Sequence, residues 1–410
     1  METKINSLKT IAGKSYEKAR NAMSDAASKI AGQSQDSFLM YVLIVFIITA
    51  IICLIIYYTN LNKRTNKQCQ RLDSLYSSIN TKISSICSSS SEADTNLNPL
   101  YDYYIKTAFN CCNIGNYDYD YVDVCVLKDI LKQGVRCLDF EIYSSNDNQP
   151  IVSSSTNTNY NFSQTINKNP LYFSKVMDIL NNYAFSTANA PNPKDPMILH
   201  FRFMSNNEEM YNNLVKIFVT YEDNMLGSSY SYVNANNGNK MINNIGNTNI
   251  QLLAGKFIII VDNSNTTFSN NTNLTEYVNG LSNSNFMRLF ICDSTNSIIN
   301  QVQDINELTD YNRRHMSIVL PNTKSNKPVN TSSLVTNALG CQMTAMCFQT
   351  TNDNYLTQYN NFFDNEGAGF VLKPPELRFI APPEVEIVEQ SQELSYAPRN
   401  ISSDYYSFNI

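Results

Sequence analysis

Residues Gly134–Ser145 read GVRCLDFEIYSS. They follow a helix-like run, VCVLKDILKQ (Val124–Gln133), and have the composition of a buried strand. Asp139 and Glu141 lie two positions apart within it. Side chains on a strand alternate faces, so both acids point the same way. Two like charges on one inward face are costly unless a cation lies between them. A strand of this kind needs a sheet that buries it and a positive group that neutralises it.

The neighbouring sequence supplies the sheet. LYFSKVMDILNNYAF (Leu171–Phe185) reads as a helix, PMILHFRFM (Pro196–Met204) as a strand and EEMYNNLVKIFVTY (Glu208–Tyr221) as a helix. An Asn-, Gly- and Ser-rich stretch covers 223–249. LLAGKFIIIVDN, FMRLFICD, MSIVL and CQMTAMCFQ then read as further strands. Strands alternating with helices at this length imply a parallel α/β architecture, either a barrel or a doubly wound sheet. No GxGxxG or P-loop motif occurs, which lowers the weight of a nucleotide-binding sheet.

Composition narrows the function. The chain has 410 residues and a net charge of −6, with a pI near 5.1, so no nucleic-acid surface is indicated. Abundant Asn, Ile, Tyr and Ser, with 12 Gly and no Trp, suggest an AT-rich genome such as that of a large DNA virus. The ten cysteines show no paired CxxC spacing, so zinc is not expected. Cys137 and Cys341 fall in core-like contexts, and the redox compartment stays open. Sequons at Asn161, Asn265 and Asn330 read as chance matches in so Asn-rich a chain.

From Phe38 to Tyr58 runs FLMYVLIVFIITAIICLIIYY, without a charge. A bilayer-crossing helix needs roughly 20 apolar residues, and Tyr57 and Tyr58 sit where an interfacial aromatic belt falls. The competing reading is a buried core helix. The run starts too far from Met1 for a cleaved signal peptide and reads as an uncleaved signal anchor. Lys18, Arg20 and Lys29 precede it, while Lys63, Arg64, Lys67 and Arg71 follow more closely, which leans toward a cytoplasmic C-terminal side.

Residues 1–37 carry apolar positions at helical spacing from Ile5 to Ile30. That helix suits either a membrane surface or a packed partner. Across 59–96, Leu72, Tyr76, Ile79, Ile83 and Ile86 form a short heptad seam before a flexible joint from Ser88. Two heptads are short for an independent coiled coil, so docking on the following domain is favoured over pairing with a second copy.

Several stretches resemble eukaryotic phosphoinositide-specific phospholipase C. PLYDYYIKTAFNCCN (Pro99–Asn113) is similar to that family's opening motif. GVRCLDFEIYSSNDNQPIV is similar to its G-C-R-C-V-E-L-D-x-W…P-V-V segment. LLAGKFIII, DYNRRHMSIVLP, GCQMTAMCFQT and EGAGFVLKPPELR follow in the family's order. The resemblance covers about 97–380, with a first half at 97–222, the insert at 223–249 where the family links its halves, and a second half at 250–380. A tail, 381–410, follows. It implies a distorted TIM barrel with its site at the C-terminal ends of the strands. The family's accessory membrane-docking and calcium-sensing domains are not expected in these 410 residues; the membrane span stands in their place.

The same resemblance exposes departures. The family's two catalytic histidines fall on Phe109 and Ser154, neither of which transfers protons near neutral pH. Its calcium ligands, an Asn, a Glu, an Asp and a Glu, fall on Asn110, Asp139, Glu141 and Arg202. The last has reversed charge. Arg202 is thus the expected cation for Asp139 and Glu141, since a guanidinium binds carboxylates bidentately and stays charged. Calcium is expected to be lost, and no other metal or cofactor is implied. The family's phosphate-gripping Lys, Arg and Tyr fall on Ile260, Ile318 and Leu320.

The expectation is a single-pass membrane-anchored barrel that is catalytically inactive and acts in binding or structure, with an unidentified protein partner. Two alternatives stand beside it. One is a phosphodiesterase with a rebuilt metal-independent site using His200, which faces inward two positions before Arg202. The other is a non-catalytic module that binds phosphoinositide headgroups. His315, in YNRRHMS, reads as a surface turn.

Overall fold

The computed structural model describes residues 17–28, 35–88, 98–117, 121–155, 171–236, 239–293, 296–323, 327–379 and 397–410. Eight parallel strands form the centre: β1 (Tyr103–Ala108), β2 (Cys137–Ser144), β3 (Met197–Phe203), β4 (Phe257–Asp262), β5 (Gly280–Ser282), β6 (Met287–Cys292), β7 (Met316–Pro321) and β8 (Met343–Met346). Their hydrogen-bonded order is β6-β7-β8-β1-β2-β3-β4-β5, a nearly closed barrel. No ladder joins β5 to β6 among the described residues. The barrel reading holds against the doubly wound alternative.

Alternation along each strand explains the closure. On β2, Leu138, Phe140 and Ile142 join an apolar layer with Leu199, Phe201 and Phe203 of β3 and Ile259 and Val261 of β4. That layer lies under the helices α2 (Val124–Lys132), α3 (Phe173–Tyr183) and α4 (Glu208–Thr220). The opposite faces, including Cys137, Ile198, Ile258, Ile260, Ile318 and Met343, form a second apolar cluster inside the barrel. Strands buried on both faces read as continuous apolar runs, as these do.

Preceding the barrel, helix α1 spans Gln35–Tyr76, 42 residues, or about 63 Å at the α-helical rise. It is the one described helix long and apolar enough to cross a membrane, with a mean hydropathy of 3.2 and its apolar window unburied. Its far end packs on the barrel: Leu72 is fully buried, Tyr76 joins the outer apolar layer, and a disulfide links Cys69 to Cys125 of α2.

The heptad seam does not continue as a helix past Tyr76. Ile79, Ile83 and Ile86 lie in irregular chain, because tertiary partners replace the helical ladder. Asn80 N–H donates to the Lys132 carbonyl at 2.9 Å and Ser84 N–H to that of Gly367 at 2.9 Å. Ile83 packs so closely on Gly134 that a Cβ there would lie 2.9 Å from its Cγ2. Gly134 also has φ +76°, so the opening stretch begins with a residue fixed by both backbone and contact.

Of the N-terminal 37 residues, 17–28 are described, as an exposed helix, together with 35–37 at the start of α1. Asn161 and residues 381–396 lie outside the described residues. Asn265 and Asn330 are 5% and 2% exposed, and their side-chain amides donate to internal carbonyls. Neither presents a sequon to a glycosylating enzyme.

The disulfide closes a loop of 56 residues. Loop-closure entropy for that length is worth about 4 kcal/mol at most. We expect Cys69→Ser to lower the unfolding free energy by about 2–4 kcal/mol, measured by urea melts of detergent-solubilised full chain. Added reductant should destabilise the wild type and leave the variant unchanged.

Candidate functional site

The ladder between β2 and β3 sets the site. Asp139 is the register partner of His200, and Glu141 of Arg202. All four side chains face the barrel interior, with Glu141 and Arg202 one step nearer the C-terminal ends of the strands than Asp139 and His200. Asn110 follows β1 with a left-handed φ of 43°. That conformation suits Asn better than most residues and brings its amide over both acids.

Arg202 is the cation the two acids require. Its Nε donates to Asp139 Oδ1 at 3.0 Å and its Nη2 to Oδ2 at 2.7 Å, a bidentate pair. Nη1 donates to Glu141 Oε1 at 2.8 Å, and Nη2 also reaches Asn110 Oδ1 at 2.8 Å. The guanidinium carbon lies 4.8 Å from the centre of the Phe109 ring. Phe109 thus stacks on the cation.

The remaining oxygen lone pairs are also used. Asp139 Oδ1 bonds His200 Nδ1 at 2.7 Å, and Oδ2 accepts from Asn110 N–H at 3.3 Å. Glu141 Oε1 accepts from Asn110 Nδ2 at 3.3 Å. Glu141 Oε2 accepts from the Tyr143 hydroxyl at 2.8 Å and Ser155 N–H at 3.1 Å. Each of the four carboxylate oxygens therefore has two partners, which fills the acceptor capacity of two ionised carboxylates. A calcium ion takes six to eight oxygens. The residues present do not fit one: their oxygens are occupied, and a fixed positive charge lies among them.

Electrostatics follow the geometry. Burial by itself raises the Asp139 pKa, but Arg202 and His200 outweigh it and hold the carboxyl at about 2. Burial by itself lowers the Arg202 pKa, and the charges of Asp139 and Glu141 drive it well above the ordinary range.

His200 faces inward, as two-residue periodicity requires, and is fully buried. Its Nε2 bonds Ser282 Oγ at 2.8 Å, completing an Asp139–His200–Ser282 chain. The order resembles an acid–base–nucleophile relay, but Ser282 is also fully buried. The cavity at the barrel mouth, about 140 Å³, is lined by Glu141, Arg202, Asp262, Ile291 and Leu320 among others, and not by His200 or Ser282. Ser154 is fully buried, accepting from Asn113 Nδ2 at 2.8 Å and donating to the Tyr117 carbonyl at 3.3 Å. Ile260, Ile318 and Leu320 are buried in the interior cluster. His315 precedes β7 at the opposite end of the barrel, stacked on Tyr311 with ring centres 4.6 Å apart.

Sequence models of the phosphatidylinositol-specific phospholipase C X and Y domains match residues 97–259 and 264–376. The chain belongs to the phosphatidylinositol-specific phospholipase C family. The X-domain match ends within β4 and the Y-domain match begins just after it. Among solved structures, the phospholipase C21 of S. officinalis is similar with a TM-score of 0.54 at 16% identity. That of L. pealei has a TM-score of 0.55 at 17% identity. Each alignment covers 69% of this chain and 38% of the longer relative. These likenesses concern the phospholipase C barrel fold. No curated protein sequence matches the chain.

Sequence reading missed Tyr143, Ser155 and Ser282 at the site. Tyr143 was accessible to it, lying two beyond Glu141 on the same face. Ser282 comes from a three-residue strand brought in by closure of the sheet, and no local pattern marks it.

Removing one partner of a buried ion pair leaves uncompensated charge, at about 3–5 kcal/mol. Arg202→Ala is expected to destabilise by that amount in urea titrations. The neutral triple change Asp139→Asn/Glu141→Gln/Arg202→Met should cost less. Because the folded Asp139 pKa lies below its unfolded value, its contribution is present above about pH 4 and lost as pH falls toward about 2. The step should be about 2 kcal/mol and absent from Asp139→Asn.

Proposed function

We propose that this family member is a single-pass membrane protein whose barrel no longer hydrolyses phosphodiesters and serves in binding or as a structural scaffold. One observation carries the reading: Arg202 lies at the position of a calcium ligand and uses the carboxylate oxygens a metal needs. Phe109 and Ser154 at the histidine positions, and aliphatic residues at the phosphate-gripping positions, support it. Function is argued here from the site, since the fold alone does not specify activity.

The alternative of metal-independent hydrolysis rests on His200. Both its ring nitrogens are already bonded within the core, and a general base needs reach to the proton it abstracts. Headgroup binding inside the barrel is opposed by the small mouth, about 140 Å³, whose single basic side chain, Arg202, is already bound to Asp139 and Glu141.

The anchor is the apolar part of α1, Phe38–Tyr58. The Cys69–Cys125 bond supports a barrel that matures in an oxidising compartment. That opposes the weak lean from flanking charges, and we favour the disulfide because an observed covalent link outweighs a difference of a few basic residues.

Full-length protein in nanodiscs containing phosphoinositides is expected to release no inositol phosphate at any calcium concentration. It should show no calcium-dependent thermal shift. Arg202→Glu, which returns a carboxylate to the fourth ligand position, should acquire such a shift. Wild-type turnover that disappears in His200→Ala would overturn the proposal.

A further inference from the structure

The junction between α1 and the barrel forms a groove of about 1100 Å³ outside the barrel. One wall is the α1 face bearing Arg64, Gln68 and Arg71, at three- and four-residue spacing. The other wall is made by chain following β1, β7 and β8, including Asn116, Lys327 and residues 349–355. All of these segments follow the C-terminal ends of their strands, so α1 enters the barrel at its C-terminal rim. The contacts agree: Arg71 Nη2 donates to the Gln349 carbonyl at 3.2 Å and the Tyr76 hydroxyl to that of Phe348 at 3.1 Å.

The groove's height is set by the helix. Arg64 lies six residues past Tyr58, roughly 9 Å along an unbroken helix. The polar layer of a bilayer extends roughly 5–8 Å beyond the hydrocarbon on each side, and long side chains on a helix lean toward its N-terminus. The Arg64 guanidinium therefore reaches the level of lipid phosphates. The Cys69–Cys125 disulfide holds this stretch of α1 to α2 of the barrel.

Charge favours an anion. The lining contains three basic residues, Arg64, Arg71 and Lys327, all exposed, and one acid, Asp353. The acid is already committed: one oxygen accepts from Tyr355 and Leu356 N–H, and the other from Asn330 Nδ2 at 2.9 Å.

We infer that this groove is a binding site for the phosphate of an anionic lipid headgroup, taken from the leaflet that faces the barrel rim. The inference rests on the membrane-anchor reading. It adds a second lipid contact beside the span, distinct from the interior site. Its chemistry is charge-assisted hydrogen bonding from guanidinium and ammonium groups to phosphate oxygens.

The test uses full-length protein in nanodiscs of phosphatidylcholine alone or doped with phosphatidic acid. Lipid retained by the protein is measured by native mass spectrometry after detergent release. Enrichment of phosphatidic acid is expected in the wild type. The triple change Arg64→Gln/Arg71→Gln/Lys327→Gln should reduce that enrichment on the order of 100-fold, from the contribution of each basic group near an anionic surface. Arg64→Gln/Lys327→Gln, which keeps the Arg71 contact to the barrel, should lose most of it. Lys63→Gln/Lys67→Gln removes two exposed cations that do not line the groove, and should retain most of it.

Equal loss in the lysine control would mean diffuse attraction to the surface and overturn the site. Full competition by inorganic phosphate at low millimolar concentration would point to a free-anion site and overturn the lipid assignment. Failure of the chain to enter nanodiscs, with extraction from membranes by carbonate, would instead remove the anchor reading on which the inference rests.

Discussion

Two buried carboxylates on one strand face can persist only if their charge is matched, and in this barrel Arg202 matches it. The consequence reaches beyond a single ion pair. A removable divalent ion in such a site leaves the acids exposed to calcium supply. A guanidinium is permanent, and its planar fork satisfies both acids at once. Asn110, Tyr143, Ser155 and His200 then use the remaining lone pairs. The polar cluster is closed on itself, which is the condition under which buried charge is compatible with a packed interior.

The rest of the interior accords with that closure. The inward-facing Ile260, Ile318 and Leu320 pack with Ile258, Met343 and Phe109. Aliphatic side chains on inward faces add burial where a substrate cavity costs it. The outer layer between strands and helices keeps its own apolar alternation. Closure of the barrel depends on strand pairing and the outer layer and not on the contents of the mouth.

The connection to α1 gives the barrel a defined attitude. The helix is continuous from its apolar run to Tyr76, and its last turns are held by Leu72, the Cys69–Cys125 link and hydrogen bonds to chain beyond β8. A span joined by a flexible linker leaves a domain free to tumble. A helix packed along α2 instead carries its orientation into the barrel and turns the C-terminal rim toward the apolar segment.

Much of this was legible in the chain alone. Period-two alternation put Asp139 and Glu141 on one face of their strand, and His200 and Arg202 on one face of theirs. The length and charge-free composition of Phe38–Tyr58 marked a candidate span, and the ordered motifs from Pro99 to Arg378 marked the barrel. Local periodicity could say that each pair faced inward, because it is a property of neighbouring residues. It could not say that Cys69 meets Cys125, that the seam stops being helical at Tyr76, or that Ser282 closes on His200. Those outcomes depend on which distant segments the barrel brings together and on which backbone groups find partners there, and only the tertiary structure decides them.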